Sequence, residues 1–236
     1  MSIAMHMSDG LINAPTSGVF WAIAVIGLAV SFYKARQDLN DRTAPMAGLV
    51  AAFVFAVQMI NFPILPGASG HLLGGALVAI LVGPWVGSIC IALVLAVQAL
   101  LFADGGLTAL GTNIINMAFI GLFVSWGVAV ALRRLAQRGG VGLAATAFLA
   151  AFIGVVGASL GFVLEYAIGG AGVTSLGTVF SLMVGLHALI GIGEGIITAL
   201  TVGAVAAIRP DLVYLLRGAP QDLQLRGARQ PEGSSS

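Results

Sequence analysis

The chain has 236 residues, 59% hydrophobic and 8% charged, whereas an ordinary soluble domain carries about 25% charged residues. A mean hydropathy of +1.05 excludes a soluble globular protein, and a net charge of +1 supplies no basic field of the kind that draws a chain to nucleic acid. The composition is that of an all-α membrane protein located in the cell membrane.

The leader, residues 1–16, contains no Lys or Arg. The first apolar run, 19–32, ends in Lys34 and Arg36. That charge order is opposite to a secretory signal peptide, so the run is read as a mature span. A crossing helix needs about 20 apolar residues, and Gly, Pro and charged clusters divide the chain into spans near 17–33, 45–62, 110–133, 143–168 and 176–208. The last is long for one span and is expected to begin as an outer loop or to run strongly tilted. Small residues at a spacing of four, Gly48, Ala52 and Ala56 in one span and Gly191, Gly195, Ala199 and Gly203 in the last, predict faces for close helix packing. Cys90, the single cysteine, lies in an apolar run and reads as a small buried residue.

Charge resolves the stretch 71–102. All ten basic residues fall in three places: Lys34, Arg36 and Arg42; Arg133, Arg134 and Arg138; and Arg209, Arg217, Arg226 and Arg229. The positive-inside rule makes all three cytoplasmic, so residues 44–132 must hold an even number of spans. Breaking 71–102 at Gly83-Pro84, where proline removes a backbone donor, restores parity. The expected architecture is a bundle of about seven transmembrane helices with the N-terminus outside and the C-terminus cytoplasmic. Its parts are an extracytoplasmic metal-binding leader (1–16), a transmembrane domain (17–208) and a mobile cytoplasmic tail (209–236), polar and Gly/Pro/Ser-rich.

Ionisable and amide groups at membrane depth are costly without partners and are functional candidates by default. His6 in the leader and His71 at the mouth of the third span share the side that carries no basic residue, the side where an imported cation arrives. His71 follows Pro66-Gly-Ala-Ser-Gly and is expected to open a helix, whose dipole favours the neutral, metal-binding imidazole. With translation starting at Met5, the amine of Met5, the amide of His6 and its imidazole close adjacent five- and six-membered chelate rings around one metal. His71 then serves as a fourth ligand, a set suited to Ni(II) or Cu(II) and one that can be imposed on Co(II). The preceding Met1-Ser-Ile-Ala would block that amine. Asp9, Gln98, Asn113 and Asn116 are candidates to brace the metal-holding loops through hydrogen bonds. His187 and Glu194, seven apart and nearly on one helix face, are expected to form a structural network with Glu165.

Four segments in order carry a resemblance: the Met5-His-Met-Ser-Asp9-Gly opening; Gly70-His71-Leu-Leu-Gly-Gly; Gln98-Ala-Leu-Leu-Phe-Ala-Asp-Gly-Gly-Leu-Thr-Ala-Leu-Gly-Thr-Asn113; and His187-Ala-Leu-Ile-Gly-Ile-Gly-Glu194-Gly. From Met5 to about residue 208 the chain resembles the metal-binding membrane component of energy-coupling-factor cobalt and nickel transporters, whose cobalt-using members serve cobalamin biosynthesis. The resemblance implies metal ligation by Met5, His6 and His71 and transport of Co2+ or Ni2+ with no prosthetic group. It also implies three kinds of partner: a transmembrane coupling subunit, a pair of cytoplasmic ABC ATPases and a small accessory membrane subunit. The chain contains no Gly-x-x-x-x-Gly-Lys-Ser/Thr phosphate loop, so it is expected to be a transport subunit and not an enzyme. Two alternatives are weighed against this. Gly157-Ala-Ser159-Leu-Gly161 matches the pattern of an intramembrane hydrolase with His187 as base, but lies within a helical span and not at a strand-to-helix turn. A haem or quinone electron-transfer subunit needs paired histidines at similar depth in the bundle, and His6 and His71 are expected at the outer surface.

Overall fold

The computed structural model describes residues 6–39, 43–172 and 174–217. After the leader come α1 (Ala14–Ala35), α2 (Thr43–Gln58), a hairpin of β1 (Asn61–Leu65) and β2 (Ala68–His71), α3 (Gly75–Val82) and α4 (Pro84–Leu101). Then follow α5 (Leu110–Ala131), a short α6 (Arg133–Ala136), α7 (Gly140–Gly169) and α8 (Leu176–Ile208). Helices α1, α4, α5, α7 and α8 are long and apolar enough to cross a bilayer. The protein is a multi-pass helical membrane protein.

The break expected at Gly83-Pro84 falls between α3 and α4, but α3 is not a full span. Its eight residues rise about 12 Å, less than half of a hydrocarbon core of roughly 30 Å. All eight are buried. The hairpin directly precedes α3, so the span expected at 45–62 ends at Gln58 and β1 takes the residues from Asn61 onward. Pro66 and Gly67 close the hairpin, with Gly67 at φ +84°, the left-handed position that follows proline in a type II turn. An irregular segment at this depth is admissible because it is enclosed by protein. Ala68, Ser69, Gly70 and His71 are all buried.

Within α5, Ile115–Gly121 is π-helical. Helix α8 runs unbroken for 33 residues, about 50 Å, so the tilted or protruding continuous helix is the observed form and no outer loop begins it. Of the two small-residue faces, one packs: an added Cβ at Gly195 would stand 2.6 Å from the Phe148 ring, and one at Gly191 would stand 3.1 Å from Phe152, both on α7. Gly48, Ala52 and Ala56 are instead exposed, and Gly203 has nothing within 4 Å.

Among the described basic residues, Arg133 and Arg217 meet at one end of the bundle. Arg133 Nε donates to the Leu215 carbonyl at 3.1 Å and its guanidinium also reaches the Arg217 carbonyl. Arg217 bonds Thr43, pairs with Asp38 at 3.7 Å and lies 4.5 Å from the centre of the Tyr214 ring. Residues 209–217, expected within a mobile tail, therefore form part of the packed body: Val213 and Leu215 are buried in the core, because apolar side chains in two short turns reach back under α3 and α5. Residues 218–236 of the expected tail lie outside the described residues.

Replacing Gly195 with valine is expected to wedge α7 from α8 and lower the detergent-solubilised melting temperature by several degrees, the scale of about 1–3 kcal/mol of overpacking. The same change at Gly203 is expected to leave it within one or two degrees. Circular dichroism melts of both variants check this.

Candidate metal centre

His6 and Met7, the first described residues of the leader, do not lie on the surface. His6 is 5% and Met7 1% exposed, held among three loops that fold over them. Ser8 N–H donates to the Gly67 carbonyl in the hairpin turn at 3.0 Å. Asn113 grips Met7 from both sides, its Oδ1 accepting from the Met7 N–H at 3.1 Å and its Nδ2 donating to the Met7 carbonyl at 3.2 Å. Gly106 N–H adds a second donor to that carbonyl at 2.9 Å. Further along, Asn13 and Ala171 tie the leader to the turn between α7 and α8.

Asp9 marks the exposed rim of this assembly. Its Oδ1 accepts from Thr108 N–H at 2.8 Å and Thr108 Oγ1 at 2.6 Å, and the Thr108 hydroxyl chiefly holds the Asp9 carboxyl below its usual range. The loop approaches so closely that a Cβ on Gly106 would stand 2.2 Å from the Asp9 backbone nitrogen. Asp9 and Asn113 thus tie the leader to the loop before α5 and to α5 itself.

His6 and His71, 65 residues apart, meet inside this enclosure, with Nδ1 of His6 2.7 Å from Nε2 of His71. The rings are nearly perpendicular, at 82°. Each ring has its other nitrogen engaged: His6 Nε2 lies 3.0 Å from Gln98 Oε1, and His71 Nδ1 lies 2.9 Å from the Leu72 carbonyl. The Leu72 carbonyl can only accept, so His71 Nδ1 carries that ring's proton and Nε2 its lone pair. His71 Nε2 therefore faces His6 Nδ1 as an acceptor, in a contact where a metal can take the place of the shared proton. Burial pushes the His6 imidazole down to about 4, only partly opposed by the bond to Gln98. The two facing ring nitrogens stand close enough to serve one ion.

Two expectations about these histidines are corrected. Neither is at the outer surface, since the leader and the hairpin cover both. His71 does not open a helix: it ends β2, and α3 starts four residues later. Its lone pair is directed by the Leu72 carbonyl and not by a helix dipole.

The junction after His71 is held by groups from across the bundle. Glu194 on α8 accepts from Leu73 N–H at 2.6 Å and from Gly74 N–H at 3.0 Å, and Gln58 Nε2 donates to the Leu73 carbonyl at 2.8 Å. Glu194 thus fixes the backbone two residues beyond His71. It does not join His187 and Glu165 in the expected network. Seven residues of helix put His187 about 10 Å from Glu194 along the axis, and His187 bonds its own helix at Met183. Neither oxygen of the buried Glu165 carboxylate has a hydrogen-bond partner among the described residues. Asn116, in the π-helical segment, lines a cavity beside the histidine pair with His187. Met5 lies outside the described residues. Gln58 was not singled out as a site residue by sequence reasoning; its signal was being an amide in an otherwise apolar span.

Ser159 sits within α7 with its hydroxyl on the Val156 carbonyl at 2.7 Å, so the strand-to-helix turn that a hydrolase nucleophile needs is not present there.

Comparison with known proteins agrees with this geometry. Residues 6–212 match the family model described as the cobalt uptake substrate-specific transmembrane region. A putative fused nickel transport protein of Archaeoglobus fulgidus is 39% identical over 94% of this chain and 72% of its own length. A putative metal transport protein of Haloquadratum walsbyi is 37% identical over 89% and 94%, and the cobalt transport protein CbiM of Geobacter sulfurreducens 33% over 89% and 62%. The crystal structure of a transition metal transporter superposes with a TM-score of 0.77 at 29% identity over 91% of this chain and all of that one. A truncated form superposes at 0.76 and 30% identity. A buried histidine pair in a multi-pass helical bundle thus stands within a chain that belongs to the CbiM family of cobalt and nickel transport membrane proteins.

Proposed function

We propose that the chain is the substrate-capture subunit of an energy-coupling-factor importer for divalent cobalt or nickel. The ion binds to the Met5 amine, the His6 amide nitrogen and Nδ1, and His71 Nε2. The observation that carries this reading is the pair of facing ring nitrogens at 2.7 Å, each oriented through its opposite nitrogen. Two ligands at right angles on metal–nitrogen bonds of about 2.0 Å stand about 2.8 Å apart, so the pair already has the separation of adjacent ligands. Nδ1 is also the ring nitrogen that can close a six-membered chelate with the amide of its own residue. Among the described residues no three His, Cys, Asp or Glu side chains form a metal cluster, so main-chain and terminal nitrogens complete the set. A tetragonal nitrogen set suits nickel and admits cobalt.

The histidine-bearing end is then extracytoplasmic and the basic end, with Arg133, Arg209 and Arg217, cytoplasmic. Energy comes from a pair of cytoplasmic ABC ATPases acting through a transmembrane coupling subunit, with a small accessory membrane subunit completing the importer. Enclosure of the leader by the hairpin and the Gly105-Gly106 loop makes release depend on undoing those contacts, which is work that a partner can couple to ATP.

His6→Ala and His71→Ala are each expected to reduce uptake of radiolabelled cobalt and nickel by more than the roughly 10- to 100-fold cost of losing an outer hydrogen-bond partner; Gln98→Leu is expected to fall within that range. Unchanged uptake in either histidine variant contradicts the mechanism. Intact-mass measurement is expected to find the metal-competent chain beginning at Met5, because retained Met1–Ala4 converts the amine into an amide.

Proton competition has a defined sign. His6 stays neutral well above its value of about 4, so at neutral pH the ion displaces the proton of the amine, ordinarily titrating at about 7.7–8.0, together with the amide proton. Affinity is expected to rise with pH between about 6 and 8, by about tenfold per unit for the amine alone and more steeply with the amide. Equilibrium dialysis across that range checks it. A flat profile means that the amine is not a ligand.

A further inference from the structure

The cavity beside the histidine pair extends past it. Its volume is about 30 Å³ and its lining includes all three histidines of the chain, His6, His71 and His187. At about 10–15 Å³ for each water-sized sphere, it has room for one ion and one water. The polar groups around its far side are oriented but unspent. His187 Nδ1 lies 2.8 Å from the Met183 carbonyl, an acceptor, so the ring proton sits there and Nε2 keeps its lone pair, with no hydrogen bond among the described residues. Asn116 Oδ1 and Ser69 Oγ are buried and also without partners. Both residues line this cavity, as do the thioether-bearing Met117 and Met183.

Two features give this arrangement a direction. Asn116 and Met117 belong to the π-helical stretch of α5, where the extra residue per turn shifts which side chains face inward; such segments concentrate at functional sites. His187 lies eleven residues into α8, about 16 Å along the helix. The cavity therefore runs from the leader inward to side chains of α5, α7 and α8. Its lining has imidazole, amide and thioether donors and no carboxylate. That set suits a borderline transition metal better than a hard cation, and being uncharged it holds a dication less tightly than a chelate with a deprotonated amide.

We propose that His187 Nε2, Asn116 Oδ1 and the Met183 thioether form a second coordination position, taken in turn by the same divalent ion when it leaves His6 and His71 on its way inward. This rests on capture at His6 and His71, and the test separates the two. In the purified full-length chain, wild-type and His187→Gln proteins are expected to bind cobalt with affinities within threefold of each other, while cobalt uptake by cells carrying the whole importer falls at least tenfold in His187→Gln. In His6→Ala/His71→Ala protein, a weaker cobalt equivalent is expected to remain, seen by equilibrium dialysis and the visible spectrum of Co2+. It is expected to disappear when His187→Ala is added. Circular dichroism and monodisperse elution establish that each variant is folded. Full uptake by His187→Gln, or residual cobalt binding that ignores His187→Ala, makes the cavity a water chamber only and overturns the proposal. Absence of a tight cobalt equivalent in wild-type protein overturns the capture reading instead, and with it the basis of the second position.

Discussion

Everything around the site serves one constraint: two imidazoles are held with ring nitrogens face to face at 2.7 Å. Each ring is tied from behind, His6 by Gln98 and His71 by the Leu72 carbonyl. Those ties rest on others. Leu72 belongs to a junction clasped by Gln58 and Glu194, and His6 belongs to a leader gripped by Asn113 and Gly106. A buried polar group without a partner costs about 1–3 kcal/mol, so these hydrogen bonds hold the two ring nitrogens at one point of the fold.

The hairpin explains how a protein made of membrane helices places a histidine so deep. A continuous helix from residue 71 onward would carry its first residue at the bilayer edge. By placing β1 and β2 before an α3 of only eight residues, the chain buries His71 beneath the hairpin and the leader, whose Ser8 bonds the Gly67 turn. The hairpin backbone pairs with itself and packs against α8, so it does not depend on lipid.

Much of this was legible in the sequence, and the limits are physical. The positions of the long helices followed from apolar length; the break at Gly83-Pro84 followed from proline chemistry. Periodicity could not reveal that 61–71 folds as strands, because a short apolar segment with Pro and Gly reads equally as a loop or a broken helix. Val213 and Leu215 were assigned to a polar tail because composition averages over the few apolar residues that dock. At the site, His6, His71, Gln98, Asp9 and Asn113 were identifiable as polar residues in an apolar chain, and their grouping matches the geometry. The role of Glu194 was not, since its partners are backbone N–H groups 120 and 121 residues away, and the sequence does not mark which carbonyl or amide a carboxylate will meet. The expected link from Glu194 to His187 failed for a related reason: sharing a helix face does not bring two side chains together when two turns separate them.

The most direct test of the account is nickel K-edge X-ray absorption on the nickel-loaded full-length chain. The account predicts a four-coordinate shell of nitrogen donors, with outer-shell scattering from two imidazole rings that falls to one ring in His71→Ala. A shell of oxygen donors, or scattering that accounts for fewer than two imidazoles in the wild-type protein, would contradict the claim that His6 and His71 close together on the metal.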